Sequence, residues 1–413
     1  MAMEASTIEQ LVSNRKSFDI LRLHWEPEQV FEISRAIRQN RTVRYVFLYD
    51  EYMANLSMSE RNGFLKAICC LPKLESFVYI SNGTRVKFSV IALAEILRTS
   101  KSLTTFELHG PNLSGSLSDF DAFNHSLGRL PTLKVFKLMP VFYETGHADL
   151  DPLIVSLSKI ETLEELRLCF YCSKTSYLST EHIKYLCHLR NLKVLDLRWP
   201  YLCDEHVTTI ALELRDNFTV TELRIAGNDI VYGCFSLAEM LEVNDSIEIF
   251  SLACRGFGKQ ECCSALWTSF GRNVSMREIT LENTETPYSG IFCCTDLMRR
   301  VLTKNNALVT LRLCNVGIDD DACIALSKAL QMNSTLSHLD LRKGNEKVTN
   351  KGYQAFAEML EQNYTLLSLD TNATGSIKEQ IGVCLKLNKS ARKLATTKPD
   401  RKHWKHGVAL LCC

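Results

Sequence analysis

The stretch NSTLSHLDLRKGNEKVTNKGYQAFAEMLEQNYTLLSLD, Asn333 to Asp370, says nearly the same thing twice. Asn-x-Thr-Leu-x-x-Leu-x-Leu opens at Asn333 and returns, with its last position changed, at Asn363. The alternation of Leu339 and Leu341 around Asp340 is the period of a strand with one buried face. In GYQAFAEML the period changes: Tyr353, Phe356 and Leu360 are three and four apart and share one face of a helix. Cys323, Leu326 and Leu330 repeat that helical spacing one unit earlier, and LRL at Leu311 to Leu313 repeats the strand.

Working outward, the apolar-x-x-apolar-x-apolar triplet begins at Phe18, Val43, Leu74, Leu103, Leu133, Leu163, Leu192, Val220, Ile247, Met276, Leu308, Leu336 and Leu366, at intervals of 25 to 32 residues. One strand plus one helix cannot bury its apolar face alone, so the unit must recur and stack. Asn40, Asn217, Asn244, Asn273, Asn305, Asn333 and Asn363 each stand three residues before a triplet, where a helix has to stop. Left-handed asparagine caps are expected there. Asn273 and Asn333 also fall in Asn-x-Ser/Thr sequons, for which capping is the better explanation than glycosylation.

These residues resemble leucine-rich repeats of the ribonuclease-inhibitor type, over roughly Phe18 to Gly375. The resemblance implies an α/β leucine-rich repeat solenoid, a horseshoe of about 13 repeats with a concave parallel sheet and convex helices. The expected organisation is an N-terminal cap over residues 1–17, the solenoid over 18–375 and a basic cap and tail over 376–413. The family's asparagine ladder fits Asn228, is shifted at Asn315 and Asn345, and is absent after Leu138 and Leu197. The segments Asn112 to Asn124 and Phe142 to Asp151 read as irregular. LKLNKSARKL, Leu385 to Leu394, is similar to a closing Leu-Asn-Arg-Ala-Gly-Arg segment of leucine-rich proteins of unicellular algae.

Composition, 46% hydrophobic and 23% charged, is that of a globular chain able to bury a core. No run of about 18 apolar residues offers a membrane span. The opening MAMEASTIEQ carries Glu4 and Glu9 and no apolar centre, which predicts a cytoplasmic or nuclear chain. The 17 cysteines, with doublets at Cys69-Cys70, Cys262-Cys263 and Cys293-Cys294, read as reduced, buried hydrophobes.

Function then has to sit on the exposed strand positions. Between the last two anchors of each triplet stand Arg22, Phe47, Val78, Glu107, Lys137, Arg167, Asp196, Arg224, Ser251, Thr280, Arg312, Asp340 and Asp370. Mixed sign disfavours nucleic acid, which would require a basic stripe. Glu107 with Lys137, and Arg167 with Asp196, either pair across strands or read a partner. Tyr45, Phe47, Tyr49, Val78 and Ile80 project together: they are an interface anchor, or the N-terminal segment covers them as a cap.

The tail from Ser376 carries net +7 and the rest of the chain −6, which keeps a peripheral membrane contact open but secondary. The terminal Cys412-Cys413 does not match a prenylation box. Cys169 and Cys172 with His182 and His188 lack metal-site geometry, because the two histidines lie six apart on a helix. Asp319-Asp320-Asp321 directly precedes a helix, where acidic residues act as caps. No cofactor, metal or catalytic residue is expected. The leading expectation is a monomeric, non-enzymatic scaffold that holds a partner protein. The resemblance also implies an alternative, a stimulator of a small G protein, with Arg198 or Arg255 as the assisting arginine.

Overall fold

The computed structural model describes residues 20–22, 29–49, 53–81, 86–139, 142–143, 150–169, 178–198, 202–227, 230–255, 257, 259–284, 294–342 and 346–397. They form two compact units, with the boundary between Ile225 and Ala226.

The first unit runs β1 (Ile20–Arg22), α1 (Val30–Gln39), β2 (Tyr45–Tyr49), α2 (Met58–Ile68), β3 (Ser76–Ile80), β4 (Lys87–Ser89), α3 (Val90–Thr99), β5 (Thr105–His109), β6 (Asn112–Ser114), α4 (Leu117–Leu127), β7 (Val135–Met139) and β8 (Phe142–Tyr143). It continues through α5 (Asp151–Leu157), β9 (Glu165–Cys169), α6 (Thr180–Cys187), β10 (Val194–Arg198), α7 (Asp204–Leu214) and β11 (Glu222–Ala226). Strands β1, β2, β3, β5, β7, β9, β10 and β11 lie side by side in that order, and the pairs β1–β2 through β9–β10 are parallel. Register is strict: Phe77, Phe106, Phe136, Leu166 and Leu195 face one another in turn across five strands. Their rings pack as a column, with centroids 5.5 Å apart for Phe77 and Phe106 and 6.0 Å for Phe106 and Phe136. Phe123 of α4 meets Phe106 at 6.2 Å, tying helix to sheet.

The register starts at one carbonyl per repeat. The oxygens of Arg44, Glu75, Thr104, Lys134, Glu164 and Lys193 each accept from two successive N–H groups of the next repeat, as Arg44 does from Glu75 at 2.8 Å and Ser76 at 3.0 Å.

Of the segments read as irregular from sequence, Asn112 to Asn124 is mostly regular, and Phe142 to Asp151 holds a short strand. Asn112–Ser114 is β6 and Leu117–Leu127 is α4, while Phe142–Tyr143 is β8; residues 144–149 lie outside the described residues. β4, β6 and β8 form a second parallel sheet. A three-residue strand with one apolar centre, Phe88 or Leu113, shows no alternation to detect. It is held instead by burial, with the Phe88 ring 4.3 Å from that of Tyr79.

The second unit runs α8 (Gly233–Val243), β12 (Ile249–Cys254), α9 (Gln260–Arg272), β13 (Glu278–Asn283), α10 (Thr295–Lys304), β14 (Thr310–Cys314), α11 (Asp320–Met332), β15 (His338–Asp340), α12 (Asn350–Leu360), β16 (Ser368–Asp370) and α13 (Gly375–Thr397). Strands β12 to β16 are parallel neighbours in chain order. Tyr353, Phe356 and Leu360 are buried together, as are Cys323, Leu326 and Leu330.

The asparagines before the triplets do something other than the expected left-handed cap. Asn40, Asn244, Asn273, Asn305 and Asn333 sit at φ between −69° and −81°, in extended backbone. The side chain makes the turn instead: Oδ1 of Asn333 accepts from the N–H groups of Thr335 at 3.0 Å and Leu336 at 2.8 Å. Its Nδ2 then donates backwards to the carbonyls of Leu302 at 2.8 Å and Asn305 at 2.9 Å. Asn273 and Asn363 reach back one repeat in the same way.

In α13, Asn388 closes the series on Asn363 and Leu366 at 3.0 and 2.7 Å. The amide nitrogens of the Asn273 and Asn333 sequons are therefore engaged within the fold. Asn315, at φ 53°, does take the left-handed conformation, and its Nδ2 donates to Asn283 O at 2.9 Å. Asn228 and Asn345 lie outside the described residues.

Helix starts are bonded across repeats too. Asp319 caps α11 by accepting from Ala322 N at 2.9 Å, while Asp320 accepts from the N–H groups of Thr349 and Gly352, at 2.8 and 3.0 Å, at the start of α12. A Cβ on Gly352 would stand 2.6 Å from Asp320 Oδ1 and 2.9 Å from Val348 Cγ1.

Three outcomes follow in urea denaturation. Asn333→Asp keeps the acceptor but turns a carboxylate on two buried carbonyls, and is expected to cost about 3 kcal/mol. Gly352→Ala is expected to cost about 1–3 kcal/mol. Gly382→Ala, with nothing within 4 Å of its Cβ, should gain about 0.5 kcal/mol.

Candidate functional site

The sheet face turned away from the helices carries every second strand residue. At its start Tyr45, Phe47, Tyr49 and Ile80 are half-buried. Tyr45 lies beside the bidentate Arg44–Glu75 pair, with the guanidinium 5.6 Å from its ring centroid and its hydroxyl 3.4 Å from Glu75 Oε2. Val78, expected to project with them, is only 6% exposed. The reason is its register between Phe47 and Glu107, in a strand where Ser76, Phe77 and Tyr79 are buried as well.

From β5 to β11 the face is a ladder of mixed charges, in which Lys137 and Arg167 stand opposite each other and Glu107 and Asp196 flank them. Glu107 accepts from His109 at 2.9 Å and Lys137 at 3.2 Å. Lys137 also reaches Glu165, at 3.2 Å. Arg167 binds Glu165 at 2.5 Å, Asp196 at 3.2 Å and Glu222 at 2.9 Å, and so spans three neighbouring strands. Arg198 holds Asp196 with two bonds, at 2.8 and 2.9 Å, and Arg224 holds Glu222 at 2.6 Å.

Asp196, expected to be exposed, has a fully buried side chain. A buried carboxylate is tolerable there because two guanidiniums, and the Cys169 thiol at 3.6 Å, face it. Burial first, and then the charge of Asp196, push the Cys169 thiol up to about 12, so it stays a proton donor.

Pairing therefore takes up Glu107, Lys137, Arg167, Asp196 and Arg224 together. In the second unit Arg312 pairs with Glu278, and Arg342 with Asp340 at 2.7 Å. Sequence reasoning missed Glu165, Glu222 and His109, and considered Arg198 only as an assisting arginine, not as a partner of Asp196. The two-residue period that puts Tyr45 and Tyr49 on this face puts them there as well, and was the signal available.

Electrostatics follow from this geometry. Burial opposes ionisation of Glu107, but the hydrogen bond from His109 and the charge of Lys137 outweigh it and hold the carboxyl below its ordinary value. Glu222 behaves likewise under Arg224 and Arg167. At the edge of the sheet, hydrogen bonds from Lys193 and then Lys134 hold Glu164 down at about 2. Among the described residues, no group of three or more His, Cys, Asp or Glu side chains could hold a metal ion; Cys172 lies outside them.

A repeat of about 30 residues, each with one parallel strand and one backing helix, defines the leucine-rich repeat fold. No protein-family model matches the chain. The mouse NACHT, LRR and PYD domains-containing protein 4B is 28% identical over 193 residues, covering 45% of this chain and 21% of that protein. The chain thus spans about a fifth of the length of the curated relative it matches.

Among solved structures, the leucine-rich repeat-containing protein LegL7 from Legionella pneumophila is similar at 15% identity and a TM-score of 0.39, over 83% of this chain and 96% of that one. The tropomodulin C-terminal domain of Caenorhabditis elegans is similar at 11% identity and a TM-score of 0.33, over 40% and 96%.

The depressed carboxyls set the sign of a pH dependence. Their contribution to stability is complete above the unfolded value of 4.5 and disappears as pH falls through the lower folded values. Urea midpoints should therefore hold steady from pH 7 to 5 and drop between pH 4.5 and about 2. Arg167→Met, which removes one partner of Glu222, should flatten that drop.

Proposed function

We propose that this chain is a non-enzymatic scaffold that captures a partner protein on the sheet face of its first unit. Tyr45, Phe47, Tyr49 and Ile80 act as the anchor, with Val78 as buried support. The observation that carries this reading is the contrast within one face. The half-buried aromatic group lies directly beside a ladder whose four carboxylates, Glu107, Glu165, Asp196 and Glu222, are matched by Lys137, Arg167, Arg198 and Arg224. Large rings give up much apolar area at little entropic cost, which makes them natural anchors. Charges already tied to one another supply orientation and exclusion of wrong partners more than affinity. In the second unit, Arg312 and Asp340 are the candidate partner-reading residues of that unit's own sheet face.

Stimulation of a small G protein ranks below scaffolding. Of the two arginines considered for it, Arg198 is held by two bonds to Asp196 rather than standing clear of the surface. In the scaffold reading residues 18–375 form the solenoid, with 1–17 and 376–413 covering its ends. The seating of Asn388 and the burial of Ile381 in α13 support the second of these covers.

The test is proximity labelling by the full chain against a variant with Tyr45→Ser, Phe47→Ser and Tyr49→Ser, with folding checked by circular dichroism. Loss of two or three anchors is expected to reduce partner capture at least about 30-fold. An unchanged partner set from a folded variant would move the binding surface elsewhere.

A further inference from the structure

Most capped helices in this chain open on an oxygen. Ser57 starts α2, Ser116 starts α4, Asp319 starts α11 and Thr349 starts α12. At the same position α7 has Cys203, and three residues on, where α11 and α12 have Ala322 and Gly352, it has His206.

Cys203 Sγ lies 3.0 Å from His206 Nδ1, and Nε2 of the same ring lies 2.9 Å from the Leu178 carbonyl oxygen of the preceding repeat. A carbonyl can only accept, so Nε2 carries the hydrogen and Nδ1 turns a lone pair towards the thiol and towards Cys203 N–H at 3.2 Å. The backbone N–H of His206, at the third position of the helix, faces Sγ and favours negative charge there. Two repeats thus supply a nucleophile, a base and a group that orients the base.

Other thiols are placed differently. Cys187 and Cys323 are buried, and loss of solvation pushes both up to about 12. Cys70 is exposed, but its sulfur faces the Lys66 carbonyl at 3.6 Å, which can take no proton. Cys203 is half-buried and faces a base.

We propose that Cys203 is a nucleophilic thiol and a site of covalent modification by soft carbon electrophiles of the α,β-unsaturated carbonyl class, with His206 as its base. The proton of Cys203 passes to His206 Nδ1 as sulfur bonds to the β-carbon. The displaced π pair becomes an enolate, and the enolate takes the proton back from His206. The product is a thioether, with no leaving group and no oxidant.

N-ethylmaleimide is a probe of this class. Brief labelling of the full chain at pH 7, quenched and read peptide by peptide by mass spectrometry, should show Cys203 reacting at least about tenfold faster than Cys70. His206→Gln should slow Cys203 about tenfold and leave Cys70 unchanged. Cys203→Ser, which restores an oxygen cap, should melt at or above the wild-type temperature. Labelling of Cys203 at or below the rate of Cys70, or a rate indifferent to His206→Gln, would reduce the pair to a helix cap and overturn the proposal. Should His206→Gln unfold, visible as labelling of Cys187, the wild-type ratio of Cys203 to Cys70 decides alone.

Discussion

A chain that turns from helix to strand once in every 30 residues or so buries polar backbone at each turn, and that backbone must be bonded. The asparagine side chain meets this requirement in two directions at once. Its oxygen closes the local turn on two N–H groups, and its nitrogen takes carbonyls of the repeat before, as at Asn273, Asn333 and Asn363. The amide carries its acceptor and its two donors on separate atoms, so both sets of bonds can be made at once in opposite directions. Where the first unit has buried Leu130 and Ile160 at this position, Thr132 and Thr162 bond back instead, to Leu103 at 2.8 Å and Leu133 at 2.7 Å. The coupling between neighbours is thus made by side chains as well as by strand pairing, which is why each unit behaves as a stack rather than as beads.

Once neighbours are locked in register, side chains at equivalent positions lie about 5 Å apart whatever their chemistry. A column of like charges would be costly, and where Lys137 and Arg167 stand opposite each other the first unit neutralises them with Glu107 and Asp196 on either side and with Glu165 and Glu222 at the flanking positions. The same constraint lets Asp196 be wholly buried, since Arg167 and Arg198 are delivered to it by the register and the strand period. In the reading proposed above, charges already tied to one another leave the half-buried rings of Tyr45, Phe47 and Tyr49 as the main source of affinity.

Helix starts show how little the scaffold asks of some positions. Serine, threonine, aspartate and cysteine all open helices here, because any small acceptor that reaches the second or third N–H satisfies the cap. Such tolerance lets one repeat exchange an oxygen for sulfur, and a small neighbour for an imidazole, without altering the stack. Chemistry can enter at a structural position.

The repeat, the strand and helix periods, the buried anchors and the residues that share a face were legible in the sequence, because periods of two and 3.6 residues are local and survive in one dimension. Pairing of Glu107 with Lys137 was foreseen as one of two possibilities. The backbone state of the asparagines, the β4–β6–β8 sheet, the burial of Val78 and Asp196, and the link from His206 to Leu178 were decided by tertiary structure alone. Each depends on a partner about 30 residues away, brought within 3 to 4 Å by stacking, and no local pattern records which of several compatible neighbours a side chain will meet.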